Sequence, residues 1–139
     1  MARSERIPIR TDRDIVLARQ QGRAAGASAG FVDTDLTLIA TAISELARNI
    51  VTYARHGEIE IRVVSDDHRR GLVIVARDEG PGITDIQRAL QDGYSTSGGL
   101  GLGLPGVRRL MDSFDIFSKP GEGTTVHVAK WIRSKSGKN

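Results

Sequence analysis

The chain reads as an α+β protein, a two-layer sandwich in which a mixed sheet carries its helices on one face. Three observations predict this. Between residues 35 and 54, Leu36, Ile39, Ala40, Ile43, Leu46, Ala47, Ile50 and Val51 repeat at the i, i+3, i+4, i+7 spacing of a helix with one face in a core. Leu72-Val-Ile-Val-Ala76 is an unbroken apolar run of strand length, as expected of a central strand covered on both faces. The segments also follow one another in the order strand, two helices, two strands, loop with two helices, two strands, which suits one sheet and one helical layer.

In chain order, Ile7 and Ile9 alternate with polar neighbours and predict a short edge strand. Thr11 or Asp12 can cap a helix running to about Ala25; Gly22 and Gly26 weaken its second half, and AGASAG reads as its frayed end. Asp33 and Thr34 offer caps for the long helix, about Asp35 to Ala54. Glu58–Val64 and Leu72–Ala76 are strand patterns joined by the polar turn SDDHRRG. DEGPGI is turn chemistry, and Ile86–Gln91 suggests a short helix. Val107, Leu110, Met111 and Phe114 mark another helix. Phe114, Ile116 and Ser118 then suggest a strand, KPGEG a turn, and Thr124–Ile132 a closing strand.

Composition narrows the function classes. At 139 residues the chain has one domain's length, so 1–139 is expected to form a single unit. Its 39% hydrophobic and 27% charged content is that of a folded globular protein. The net charge of +3 comes from scattered basic residues, apart from Lys130, Arg133, Lys135 and Lys138, so nucleic acid is not expected as a partner. Residues 133–139 are expected to form a solvated basic tail. No cysteine is present, which excludes disulfides, thiolate metal sites and a cysteine nucleophile. His56, His68 and His127 lack metal-ligand spacing. The N-terminus has no apolar leader segment, and no apolar run reaches membrane-spanning length, so a cytoplasmic protein without membrane attachment is expected. No long heptad seam is present, and a monomer by itself is expected.

Four segments carry candidate chemistry. Gly98, Gly99, Gly101, Gly103 and Gly106 lie directly before a helix pattern. A backbone without side chains approaches a ligand closely, and free N–H groups at a helix start favour an anion, above all phosphate. Gly101, Gly103 and Gly106 spell G-x-G-x-x-G, but Asp92–Ser97 before them is polar and turn-like rather than a strand, so the dinucleotide fingerprint does not apply; a GK[ST] ending is also missing. Glu45 and Asn49 stand four apart on one face of the long helix, a carboxylate base beside a neutral oxygen ligand of the kind Mg²⁺ takes; a solvent-facing polar stripe is the bland alternative. Asp78, at a strand end, can accept a hydrogen bond from an exocyclic amine, and Gly80 and Gly82 let the backbone turn beneath a flat ring. In Gly121-Glu-Gly-Thr124-Thr, a threonine hydroxyl can reach a base-bound water, although a plain hairpin turn explains the same residues.

Together, ELARN, DEGPGI, GGLGLGLPG and GEGTT resemble, in order and spacing, the four nucleotide-binding boxes of the GHKL ATPases, the superfamily of gyrase, Hsp90 and the histidine kinases. Within it, TAISELARNI, the glycine loop with its helix, and KWIR are similar to the serine/threonine switch kinases of the bacterial stressosome. The resemblance implies the Bergerat ATP-binding sandwich, with ATP and Mg²⁺ as cofactors. It implies Glu45 as general base and Asn49 as Mg²⁺ ligand. Asp78 would bind the adenine amine, with Gly80, Gly82 and Ile83 around the ring and Thr124 in support. Gly99, Leu100, Gly101, Leu102, Gly103 and Leu104 would cradle the phosphates. The cation for the γ-phosphoryl is open: Arg48, one turn from Glu45, is a candidate, with a surface salt bridge as the alternative and a partner as another source; between DEGPGI and the glycine loop only Arg88 is basic. Implied partners are STAS-domain scaffold and antagonist proteins as substrates and the regulatory domain of a PP2C-type phosphatase as the released kinase's target. The rival readings are an anti-sigma factor kinase of the same superfamily and a nucleotide-tuned binding module with little catalysis.

Overall fold

In the computed structural model, residues 2–54, 56–81 and 103–132 are described. Their elements are β1 (Ala2–Ile9), α1 (Asp12–Ala29), α2 (Asp33–Asn49) continued by a π-helical turn (Ile50–Ala54), β2 (Gly57–Ser65), β3 (Arg70–Asp78), α3 (Gly103–Leu110), β4 (Ser113–Lys119) and β5 (Gly123–Trp131). The expected helix at Ile86–Gln91, the glycine loop up to Leu102 and the tail 133–139 lie outside the described residues.

The five strands pair in the order β1-β2-β3-β5-β4. All four pairings are antiparallel, so the sheet is not mixed as expected. The reason is topological. A parallel neighbour for β3 would be β4, but β4 lies at the sheet edge, and β5 folds back between them as the second arm of a hairpin. The apolar run of β3 occupies the middle of the sheet, and Leu72, Ile74, Val75 and Ala76 are all buried, as that run predicts.

Strand alternation sends one set of side chains to the helices. Ile7 and Ile9, Ile59 and Ile61, Leu72 and Ile74, and Val126 and Val128 form one core cluster with Ile39, Ile43, Leu46 and Ile50 of the long helical segment and Val107 of α3. On the opposite face, Glu58, Glu60, Arg62 and Arg77 form an ion-paired lattice. Arg77 reaches Glu58 and Glu60 at 2.9 Å each, and Arg62 reaches Glu60 at 2.7 Å. Glu60 is buried beneath these arginines, whose hydrogen bonds hold its carboxyl down from 4.5 to about 2 against the upward push of burial.

Two expectations change. α1 does not fray after Ala25 but runs to Ala29, where Gly30 at φ 107° closes it through bonds to the Gly26 and Ala27 carbonyls. The two glycines expected to weaken it are its contact with α2. A Cβ on Gly22 would collide with the Ile43 side chain, and one on Gly26 would sit 2.8 Å from Leu36. The helix propensity lost at these glycines is offset by close helix packing. Lys130, grouped by sequence with the basic tail, is buried, and its Nζ donates to the Leu110 carbonyl at 3.0 Å, capping the end of α3.

Candidate functional site

α2 is amphipathic along its length, but near its C-terminal end the buried face carries a charge. Glu45 is 2% exposed, among Ala42, Ile43, Leu46 and Ala47 of the same buried helix segment. The solvent-facing stripe is therefore excluded for Glu45. A buried carboxylate needs partners, and among the described residues it has two. Arg48, one turn along α2, donates from Nη1 to Oε2 at 2.6 Å. The backbone N–H of Gly103, the first residue of α3, donates to Oε1 at 3.3 Å. Gly103 has φ 55°, a left-handed conformation that favours glycine, which is what lets the chain turn into the helix here. Arg48 therefore makes a salt bridge, as the alternative reading had it, but with a buried carboxylate rather than at the helix surface.

Asn49 follows at the last position of α2, half-buried, with no hydrogen bond to its side chain among the described residues. The next five residues form a π-helical turn, not the continued α-helix that the periodicity predicts. That turn ends at Ala54, against which Gly80 packs so closely that a Cβ on Gly80 would lie 2.6 Å from Ala54 Cβ. The end of the long helical segment thus touches the second part of the site.

This second part is assembled by strand register. Asp78 ends β3 opposite Thr124 of β5, and Thr124 lies opposite Ser118 of β4. The carboxylate of Asp78 accepts from two backbone amides at one oxygen, Gly80 N–H at 3.0 Å and Thr124 N–H at 3.2 Å. Its other oxygen has no partner among the described residues. The Thr124 hydroxyl pairs with the Ser118 hydroxyl at 2.8 Å, so Thr124 meets Asp78 through its backbone, not its side chain. Ser118, which sequence reasoning missed, also donates to the Gly123 carbonyl at 3.1 Å. Its signal was the hairpin register around the KPGEG turn. The turn is tied back to the Asp78 segment by the Gly121 N–H donating to the Pro81 carbonyl at 2.7 Å.

Of the expected site residues, the structure joins Glu45, Arg48 and Gly103 in one cluster and Asp78, Gly80 and Thr124 in another. Leu104 is buried with its side chain in the core, so its amide is what it can offer a ligand. Gly82, Ile83, Gly99, Leu100, Gly101 and Leu102, like Arg88, lie outside the described residues.

The chemistry these groups support is uneven along the site. The unpartnered oxygen of Asp78 suits an amine donor such as the edge of a purine. The start of α3 supplies an anion-favouring backbone. Among the described residues no group of three or more histidines, cysteines and acids stands together, so they offer no metal cage of their own. A single neutral oxygen such as that of Asn49 fits a hard divalent ion that draws its other ligands from phosphates and water. No helix among the described residues is long and apolar enough to cross a membrane.

The family model described as histidine kinase-, DNA gyrase B- and HSP90-like ATPase matches residues 34–134. The chain is 54% identical over 127 residues to the serine/threonine-protein kinase RsbT of Bacillus subtilis (strain 168), covering 91% of this chain and 96% of that one. It is 37% identical over 109 residues to an anti-sigma F factor of Bacillus licheniformis, 73% of each chain. In backbone it is similar to the mycobacterial sensor histidine kinase MprB, with a TM-score of 0.56 at 19% identity over 91% of this chain and 97% of that one, a likeness of fold alone.

Proposed function

The chain belongs to the histidine kinase-, DNA gyrase B- and HSP90-like ATPase family, and from that premise we propose that it is an ATP-dependent protein serine/threonine kinase working by partner switching. The observation that carries the reading is the buried Glu45 carboxylate, brought by α2 to the first amide of α3. A carboxylate kept out of water beside a helix start that favours phosphate has the placement of a general base for phosphoryl transfer. The 54% identity to a protein named as a serine/threonine kinase supports the same activity.

In this reading Asp78 accepts from the adenine amine with the oxygen its two amides leave free, and Gly80, Gly82, Ile83 and Thr124 shape that end. The amides from Gly99 to Leu104 hold the phosphates. Asn49 would hold Mg²⁺ through its amide oxygen, and the ion would supply neutralisation of phosphate charge. The partner's Ser or Thr oxygen forms the new bond to the γ-phosphorus, the bridging oxygen leaves with ADP, and Glu45 receives the hydroxyl proton. The residues 1–139 act as a single domain of this kind, in the cytoplasm. The substrates are STAS-domain scaffold and antagonist proteins of a stressosome, and the released kinase binds the regulatory domain of a PP2C-type phosphatase.

The test is transfer of labelled γ-phosphate to a cognate STAS-domain protein with Mg²⁺, wild type beside Glu45→Ala. Label on Ser or Thr of the partner that disappears with the variant is the expected result; unlabelled partner with ATP still bound sinks the kinase reading. The 37% identity to an anti-sigma F factor favours a second reading, an anti-sigma factor kinase. Recovery of a sigma factor rather than a phosphatase on purification from cells would put that reading first.

A further inference from the structure

The amide of Gly103 is claimed twice. In the structure it donates to Oε1 of Glu45 at 3.3 Å, within a buried contact. In the proposed function it belongs to the backbone that holds the phosphates. An N–H carries one proton, and a well-formed bond to the carboxylate and one to a phosphate oxygen exclude each other. The two acceptors are also both anionic, so they do not share the start of α3 without cost. The other oxygen of Glu45 is held independently, by Arg48 at 2.6 Å, and Arg48 is on α2 with Glu45. Losing Gly103 therefore leaves the carboxylate tethered by its own helix but with Oε1 unengaged, which is the oxygen a hydroxyl proton would reach.

We propose that Gly103 N–H is an exchangeable donor, bound to the Glu45 carboxylate before nucleotide arrives and passed to a phosphate as nucleotide binds, so that ATP itself uncovers the base while Arg48 keeps it in position. The inference rests on the reading of Glu45 as base and of α3 as the phosphate-holding helix. It makes Arg48 a positioning residue, not a ligand of the γ-phosphoryl. It also gives a reason for a base and a phosphate loop to touch: the base is covered unless a phosphate is there to be transferred.

Competition for one donor has a signature in binding that activity alone would not reveal. Removing the competing acceptor should tighten nucleotide. The experiment measures the dissociation constants of Mg²⁺ with adenosine 5′-(β,γ-imido)triphosphate, and of adenosine, by calorimetry for wild type, Glu45→Gln and Glu45→Ala. Glutamine removes the charge but keeps an acceptor for Gly103; alanine removes both. The triphosphate should bind about tenfold more tightly to Glu45→Ala than to wild type, with Glu45→Gln between them, since a net hydrogen bond is worth about that factor. Adenosine should bind all three alike. Triphosphate binding to Glu45→Ala no tighter than to wild type, or to Glu45→Gln as tight as to Glu45→Ala, would overturn the exchange; the second outcome assigns any gain to charge alone. Transfer to a partner protein, measured on the same variants, separates this from the underlying reading: if Glu45→Ala still transfers at the wild-type rate, Glu45 is not the base at all. For Arg48, kcat in Arg48→Ala should fall about tenfold with the ATP KM unchanged, and Arg48→Lys should recover part of it. A raised KM with an unchanged kcat would make Arg48 a phosphate ligand and remove it from the proposal.

Discussion

At one end of the site Asp78 is fixed by backbone: two amides on one carboxylate oxygen, a strand register that sets it opposite Thr124, and a hairpin tip tied to Pro81. At the other end Glu45 is fixed by one arginine side chain and one amide at the very start of a helix. The first arrangement cannot change without breaking the pairing of β3 with β5. The second consists of contacts that a competing anion can replace. A flat ring with a fixed donor pattern suits a preformed backbone socket, while a charge that must be moved suits side chains and a helix terminus that exchange partners. In the proposed function, binding and chemistry are thus divided between a rigid end and an exchangeable one.

The largest expected effect tests that division directly. Glu45→Ala should lower phosphoryl transfer by about 10²–10⁴-fold, the usual contribution of a general base, without weakening ATP binding. Asp78→Asn should do the reverse, weakening ATP by about 1.5–3 kcal/mol through loss of a charge-assisted acceptor, while saturating ATP restores most of the rate. Measured side by side in binding and single-turnover assays, equal losses of affinity in both variants would show that the two ends do not divide the work.

How far the sequence revealed each end follows from the same contrast. The periodicity of Leu36 to Ile50 and the apolar run at β3 announced the two elements that carry the acidic groups, because a repeating pattern reports which face is buried. Glu45 was singled out by its spacing from Asn49, but its burial was not visible, since it depends on α3 packing against α2 from far along the chain. The Arg48 pair was visible as one alternative, because i, i+3 neighbours meet on any helix. Gly22 and Gly26 were misread because propensity scores a glycine as loss, whereas their fourfold spacing marks a close helix contact only once α2 lies against it. The mixed sheet was misjudged because strand order across a sheet is not encoded locally: the position of β5 beside β3 is decided by packing.

The rigidity of the Asp78 end can be probed through its glycines. Gly123 has φ 86°, and a Cβ there would run into the Asp78 carbonyl. Gly121 has φ 80° with open space where its Cβ would be. Both lose the glycine advantage in the left-handed region, about 1–2 kcal/mol, but only Gly123→Ala must also push β5 away from β3. Chemical denaturation should show Gly123→Ala losing about 2 kcal/mol or more beyond Gly121→Ala, with ATP binding weakened in the former alone. Equal losses would mean that the strand end yields easily and the socket is not rigid.

Acid offers a control remote from both ends. Glu60 lies on the sheet face away from the helices, its carboxyl held from 4.5 down to about 2 by Arg62 and Arg77. A depressed folded-state value means that the unfolded chain takes up the proton first. The stabilisation is therefore present above about pH 4.5 and is lost as pH falls toward 2. Glu60→Gln should cost about 2 kcal/mol at neutral pH and flatten the fall in stability between these values, since each tenfold change in proton affinity is worth about 1.4 kcal/mol before screening by solvent around the arginines. Adenosine affinity at neutral pH should not change. If it did, the outer face and the Asp78 end would be coupled through β3, and the socket would reach further than its own strand ends.

The smallest effect bears on what the socket is made of. Thr124→Val deletes the hydroxyl pair with Ser118 at 2.8 Å but keeps the backbone N–H that donates to Asp78 at 3.2 Å. If the socket is backbone, stability should fall by about 1 kcal/mol for the lost hydrogen bond, and nucleotide affinity should change by less than about threefold. Thr124→Ser, which keeps the hydroxyl, should restore the stability. A loss of about tenfold or more in affinity, recovered by serine, would place the hydroxyl itself in contact with the bound base or its water. The rigid end would then contain one exchangeable side chain after all, and the contrast with the Glu45 end would be one of degree.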